Sequence, residues 1–266
     1  MAEYILQNSA LVVAHPDDEI LWFPSILEKV GQIVFCYVDY PSNPQWGIGR
    51  RQAIAEYPLS NLISLDMTES EVFDKMDWNK PEIGKFGVTI NCKSHSALFY
   101  EKNFYRLLEI LSENLKGFEQ VITHNPWGEY GHEEHVQVYR AVKTLQSKIG
   151  YDIWFSNYFS NKSFNLLSRY LTNLSAECIK SRTNKFLTKS IKAIYEKNQC
   201  WTWYKDWEWL DEEILIKEKN TDSKKEIFNH TLPMNFIKVR HQDKRNKKHV
   251  FDKILRLKNK LIRMVR

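Results

Sequence analysis

The chain of 266 residues is 43% hydrophobic and 14% aromatic, has four cysteines and carries a formal net charge of +5. That length can bury a substantial core in one α/β domain with an appendage, and no window approaches the roughly eighteen uninterrupted apolar residues of a membrane-spanning helix. The N-terminal run MAEYILQNSALVVAHPDDE lacks a basic leading region, so no cleavable signal peptide is expected, and Cys36, Cys92, Cys178 and Cys200, scattered without CxxC pairs, suit reduced thiols and a cytoplasmic location. The positive charge is local: residues 239–266 hold eleven Lys/Arg against two Asp, an excess of nine that outweighs the whole-chain +5 and leaves the rest of the chain acidic. A basic footprint confined to one tail argues against nucleic acid as a partner of the main domain.

In chain order, the apolar run at 10–14 reads as a buried strand, followed by helical periodicity over 18–31 closed by Gly31 and a second strand over 32–40. The turn formers of 41–49 predict a loop, after which a helix starts at Arg50 and is kinked or ended by Pro58. Residues 66–93 read as irregular. Leu98, Phe104, Leu107, Leu108 and Leu111 mark one face of a helix over 96–117. A short strand at QVIT, a loop with two glycines, a further helix and a strand over 151–159 complete the pattern. Strands alternating with helices predict a mostly parallel α/β sheet flanked by helices, with one domain over 1–238 and a basic amphipathic C-terminal helix over 239–266.

In such sheets ligands bind beyond the carboxyl ends of the strands, and two clusters of acids and histidines fall there. His15 and Asp18 are three residues apart, as are His132 and His135 in GHEEHV, a spacing that brings side chains to one face of a helical turn. Imidazole and carboxylate suit Zn²⁺, whose catalytic sites use three protein ligands and keep a position for water; Fe²⁺ and Co²⁺ accept similar donors. If His15, Asp18 and His135 hold the ion, Asp17 and His132 remain as acid/base partners. Taken singly, HPDDE also fits an ordinary helix start and HxxH a solvated helix face. Together, at one sheet edge, they supply a complete metal site with titratable groups to spare.

The AHPDDE motif after a hydrophobic strand, with a distal HxxH after a strand and a Gly-containing loop, resembles the PIG-L/LmbE family of zinc-dependent N-acetylglucosaminyl deacetylases. THNPWGEYGHEEH resembles bacterial members, and KSIKAIYEKNQC over 189–200 is similar to the family's late K-x-x-A…SQ helix, with Gln199 at the Gln position and Asn198 where Ser is more usual. The resemblance covers about residues 8–205. It implies a Rossmann-like sheet, an N-acetylated amino sugar as substrate, His15, Asp18 and His135 as zinc ligands and Asp17 as general base. It also implies that His132 stabilises the oxyanion, as the protonated ring, or protonates the departing amine. Members carry an arginine near Arg50 and Arg51 that contacts sugar hydroxyls, which makes one of this pair a candidate with the register left open. VDYPSNPQWG departs from the family's usual TDG after the second strand.

Trp127, Glu129 and Tyr130, just before His132, are candidate sugar contacts, an aromatic plane beside a polar group being suited to a pyranose. GIGRRQ lacks the third glycine of a dinucleotide fingerprint and follows the second strand, so no nicotinamide or flavin is expected. The tryptophans of 201–209 read as completing a core against the sheet. The amphipathic tail suits either an anionic membrane surface or docking on the domain or in a homo-oligomer. Beside the deacetylase reading stand an amidase acting on a sugar-linked conjugate and a non-catalytic sugar-binding module of the same fold.

Overall fold

The computed structural model describes residues 2–91, 95–219 and 231–239. The short helix α1 (Ala2–Gln7) leads into β1 (Ser9–Val13), whose run of apolar side chains is buried on both faces: Ala10 and Val12 join one core layer, Leu11 and Val13 the other. Such two-sided burial is why a central parallel strand reads as a continuous apolar run. After α2 (Asp18–Trp22), β2 (Gln32–Asp39), α3 (Pro44–Ala55) and β3 (Leu62–Thr68) build outward on one side of β1. A small hairpin of β4 (Ile83–Gly84) and β5 (Gly87–Val88) and helix α4 (His95–Asn114) precede β6 (Gln120–Thr123), which returns to the other side of β1. Then come α5 (Glu133–Ile149), β7 (Asp152–Ser156), β8 (Tyr158–Ser160), α6 (Phe164–Leu167), β9 (Leu174–Arg182), α7 (Lys185–Lys197), β10 (Glu212–Glu218) and β11 (Asn235–Ile237).

The main sheet runs β3-β2-β1-β6-β7-β10-β9, with parallel pairing from β3 through β7 and antiparallel pairing of β10 to both β7 and β9. The mostly parallel α/β fold expected from sequence is therefore the fold observed. Because β2 and β6 flank β1 and the chain winds outward in opposite directions from it, the switch point lies between the carboxyl ends of β1 and β6. Both acid-and-histidine motifs follow these two strands.

Several boundaries differ from expectation. The helix after β1 stops at Trp22, because Pro24 cannot continue it, and the apolar residues up to Val30 are buried in turns. Helix α3 begins at Pro44, within the predicted loop, with Pro at its first turn, where its missing N–H costs nothing. Arg50 and Arg51 are thus mid-helix. In GIGRRQ, Gly49 serves packing: a side chain there would run into the backbone carbonyl of Asn198 just beyond α7. The strand predicted over 151–159 breaks at Asn157 into β7 and β8. The irregular reading of 66–93 missed the end of β3 and the β4–β5 hairpin, while the loop between them is ordered by Glu133, whose carboxylate accepts bonds from the N–H groups of Asp74, Lys75 and Met76 and from the Trp78 indole. Residues 240–266 lie outside the described part, and with them all but the first residue of the predicted tail helix. Among the described residues no helix is long and apolar enough to cross a membrane.

Candidate metal-centred active site

The first motif turns sharply. Asp17 stands at φ 100°, a left-handed conformation costly for a residue with a side chain, of order 1–3 kcal/mol. Its N–H is held by the Glu19 carboxylate at 2.9 Å. Its own carboxylate makes no helix cap, so the helix-start reading of HPDDE does not account for it. Instead Asp17 Oδ2 accepts the backbone N–H and the hydroxyl of Thr202, at 3.0 and 2.6 Å. The turn leaves Asp17 and Asp18 facing different partners.

Asp18 is buried at the centre of the cluster. Its Oδ2 accepts the His15 N–H at 2.8 Å and lies 3.1 Å from His15 Nδ1, while Oδ1 accepts the Trp22 indole at 3.0 Å and lies 3.2 Å from His135 Nε2. Three predicted ligands, 120 residues apart in the chain at their extremes, therefore meet. The distal motif opens α5: His132 is the N-cap in extended conformation, and its Nδ1 accepts the Glu134 N–H at 3.2 Å. Rings of His132 and His135 stack at 4.6 Å between centroids, and His15 lies 4.9 Å from His132.

Glu129 fixes the tautomers. Its Oε2 faces His135 Nδ1 at 2.8 Å and His124 Nδ1 at 3.0 Å, and its Oε1 accepts the Asn125 N–H and the Ser156 hydroxyl. Burial opposes its charge, but His124 and His135 outweigh this and bring Glu129 down to about 2. With its proton on Nδ1, His135 presents the Nε2 lone pair to Asp18 Oδ1. That nitrogen is buried and has no hydrogen-bond partner among the described residues. Two acceptors 3.2 Å apart in a buried site repel unless a cation lies between them, so the pairing of His135 with Asp18 fits a bound divalent metal.

Groups of His15, His132 and His135, and of Asp18, His124 and His135, each place their donor atoms within 4.8 Å of one another. His124 is set apart by its Nε2, which accepts the Ala14 N–H at 2.8 Å. Its burial works against a positive charge, whereas the charge of Glu129 and bonds to Asp18 and Glu129 lift it to about 9. The Ala14 N–H nevertheless requires a lone pair on Nε2, so the ring that satisfies both contacts is neutral and already committed.

Electrostatics divide the other groups. Burial and the neighbouring Asp18 charge raise Asp17 to about 7, against the Thr202 bonds and the Arg50 charge. Burial would lower His15, but Glu69 and bonds to Asp18 and Glu134 carry it up to about 10. Burial, with His135 and His15 nearby, pushes His132 well below the ordinary histidine range. This corrects the expectation of a protonated His132: its Nδ1 is an acceptor, so the neutral ring carries its proton on Nε2. Glu19, raised by burial to about 8, accepts hydrogen bonds from the Tyr57 and Tyr195 hydroxyls and supports the Asp17 turn from behind.

The candidate substrate contacts separate. Arg50 is buried, bonds the Val38 carbonyl at 3.1 Å and pairs with Glu69 at 2.5 Å beside His15, whereas Arg51 is half-exposed and engaged by Asp39. Of the two, Arg50 is therefore the one packed beside the histidine cluster. Two calls are corrected by burial: Trp127 is a core residue whose indole donates to the Tyr158 carbonyl at 2.7 Å, and Glu129 orients histidines. Tyr130 does border the site, its ring 5.8 Å from His132 and 4.8 Å from Trp203.

Glu69, His124, Glu134 and Thr202 escaped the sequence reading. Glu69 and His124 directly follow β3 and β6, as His15 closely follows β1, so their positions at strand ends were a usable signal. Glu134 was visible within HEEH, and its carboxylate bridges His15 Nε2 at 3.2 Å and the Ser70 N–H. Nothing local marks Thr202.

No protein-family model matches the sequence. The chain is 26% identical over 206 residues to an uncharacterized protein of Acanthamoeba polyphaga mimivirus, covering 72% of this chain and 79% of that protein. Among solved structures it is similar to a teicoplanin deacetylase in a zinc-inhibited form (TM-score 0.49, 9% identity, 80% of this chain and 100% of that one). It is also similar to a deacetylase from teicoplanin biosynthesis crystallised with teicoplanin (TM-score 0.47, 10% identity, 80% of this chain and 99% of that one).

Proposed function

We propose that this chain hydrolyses the N-acetyl group of an amino sugar, releasing acetate and a free amine, with a divalent metal held by His15, Asp18 and His135. The observation that carries the reading is the buried, unpartnered His135 Nε2 facing Asp18 Oδ1 at 3.2 Å, with Asp17 tied to Thr202 alongside. The AHPDDE and HxxH resemblance supports the choice of an acetamide as the bond cleaved.

A divalent cation there supplies a Lewis acid that acidifies water and polarises a carbonyl. Asp17 is kept off the ligand cluster by its two bonds to Thr202, which leaves its carboxylate to take the proton of the attacking water. Burial brings its affinity for a proton near neutrality, where a general base works best. As negative charge grows on the acetyl oxygen, the His132 Nε2–H is a preorganised donor toward it, its orientation fixed by the Glu134 N–H on Nδ1. The proton gained by Asp17 is then the one available to the departing amine. Arg50, pinned by Glu69, offers guanidinium donors to sugar hydroxyls.

Acetate release from N-acetylglucosamine and its oligomers tests the reading. Release that a chelator abolishes and Zn²⁺ restores is the expected result; no release from any of them with a loaded site would overturn it.

A further inference from the structure

His132 belongs to a run of packed rings that reaches from the core to the surface. His124 stacks on His135 at 3.8 Å between centroids, His135 on His132 at 4.6 Å, and His132 meets Phe73 at 4.9 Å with the two planes tilted by 32°. The Lys162 ammonium lies 4.4 Å from the centre of the Phe73 ring and pairs with Asp74. Its stem crosses Gly131, where a Cβ would come within 2.9 Å of it. Phe73 is 47% exposed, so burial does little to hold it in place. Its loop is held by other means. Glu71 and Asp74, to either side of Phe73, stand at φ 56° and 60°, left-handed conformations that persist where the surroundings enforce them. The enforcement comes from Glu133, next to His132 in the chain, whose carboxylate accepts the N–H groups of Asp74, Lys75 and Met76. The turn that presents His132 thus also fixes the loop that presents Phe73.

We propose that Phe73 is a positioning residue for His132, holding the imidazole plane so that its Nε2–H stays aimed at the acetyl oxygen; this rests on the deacetylase reading above. The need follows from the side chain itself. The terminal torsion of a histidine is broad and roughly twofold, so no intrinsic rotamer decides which edge of the ring faces a substrate. One hydrogen bond of 3.2 Å from the Glu134 N–H holds Nδ1, and the flanking rings of His135 and Phe73 restrain rotation of the plane about it. His135 is tied to Glu129 and Asp18, so Phe73 is the flank that can be changed without touching the metal cluster. Lys162 adds a cation–π contact to Phe73 and, through Asp74, ties the ring to its loop. A donor held in this way has no reorganisation left to make as charge develops on the oxygen.

The test measures acetate release from N-acetylglucosamine by the zinc-loaded full chain. Phe73→Ala is expected to lower kcat about tenfold with KM within about twofold of wild type, and Phe73→Tyr, which keeps the ring, to restore kcat. Phe73→Leu, which keeps apolar bulk but offers no plane, stands in with the same expected pattern should Phe73→Ala not fold. In a His132→Ala background the Phe73→Ala change is expected to cost nothing further. A raised KM at unchanged kcat, or an equal loss in both backgrounds, overturns the proposal. A second arm reads the imidazole ¹⁵N shifts of His132 in the same full chain, which report the nitrogen that carries the proton and need no turnover. A single tautomer with the proton on Nε2 is expected in wild type and Phe73→Tyr, and exchange between both tautomers in Phe73→Ala. That change supports the positioning role even if no substrate is deacetylated, and a single unchanged tautomer in Phe73→Ala overturns it even if deacetylation occurs.

Discussion

Replacing Glu129 with glutamine probes the link between the loop before α5 and the metal position. The carboxylate serves four partners: the Nδ1 atoms of His124 and His135 at 3.0 and 2.8 Å, the Asn125 N–H at 3.0 Å and the Ser156 hydroxyl at 2.7 Å. An amide has one oxygen, so Glu129→Gln turns an NH₂ toward one of these pairs and sets donor against donor. Leaving buried bonds unmade costs about 1–3 kcal/mol each. The depression of Glu129 from 4.5 to about 2, which comes from the same two histidines, gives the direction of the effect: the folded protein stabilises the charged carboxylate. Because the folded value lies below the unfolded one, this stabilisation is complete above pH 4.5 and is lost as pH falls toward 2. If the amide faces the histidines, they must carry their protons on Nε2, which sets His124 against the Ala14 N–H and blocks the His135 lone pair. Zinc affinity, measured by competition with a chelator, should fall by about 10–100-fold. Urea unfolding of the metal-free protein should show the variant about 3 kcal/mol less stable at pH 7, the gap narrowing in acid. Affinity within about twofold of wild type would refute the assignment of Glu129 as the residue that orients His135.

Three further predictions follow from the same geometry. Asp17→Asn should retain zinc by elemental analysis while turnover falls by about 10²–10⁴-fold, whereas His135→Ala should lose the metal itself; equal metal loss in both would refute the division of labour. His15 is held protonated by its carboxylate neighbours, up to about 10, so zinc loading at pH 7 should release about one proton from it, read by calorimetry in buffers of different ionisation enthalpy; binding without proton release would remove His15 from the ligand set. Glu213 is raised by burial to about 8, with Oε1 accepting the Tyr158 hydroxyl and Oε2 buried without a partner. Since a raised carboxyl favours the protonated folded state, wild-type stability should fall as pH rises from 4.5 to 8, and Glu213→Gln should flatten that fall by roughly 3 kcal/mol at pH 7; parallel melting curves for the two proteins would show that Glu213 is not the cause.

The local pattern was enough for the fold class and for the side chains that cluster at the centre of the candidate site. An apolar run too short for a membrane helix and bounded by a Gly-closed helical stretch specifies a β-α-β start, and two clusters of ligating side chains following strands point to the carboxyl edge of a parallel sheet. His15, Asp17, Asp18, His132 and His135 were all legible because each motif carries its spacing within a single turn of chain. What local pattern does not encode is contact between turns. The burial of Arg50 but not Arg51 depends on which side of α3 faces β2 and Glu69, the burial of Trp127 and Glu129 on a loop folding back against β7 and β8, and the protonation of His132 on which of its nitrogens meets the Glu134 N–H. Thr202 reaches Asp17 across 185 residues, and no spacing rule extends that far. Sequence sets which side chains are available at a strand end because periodicity is a short-range property; tertiary packing decides which of them are desolvated together, and desolvation sets their protonation and so their chemistry.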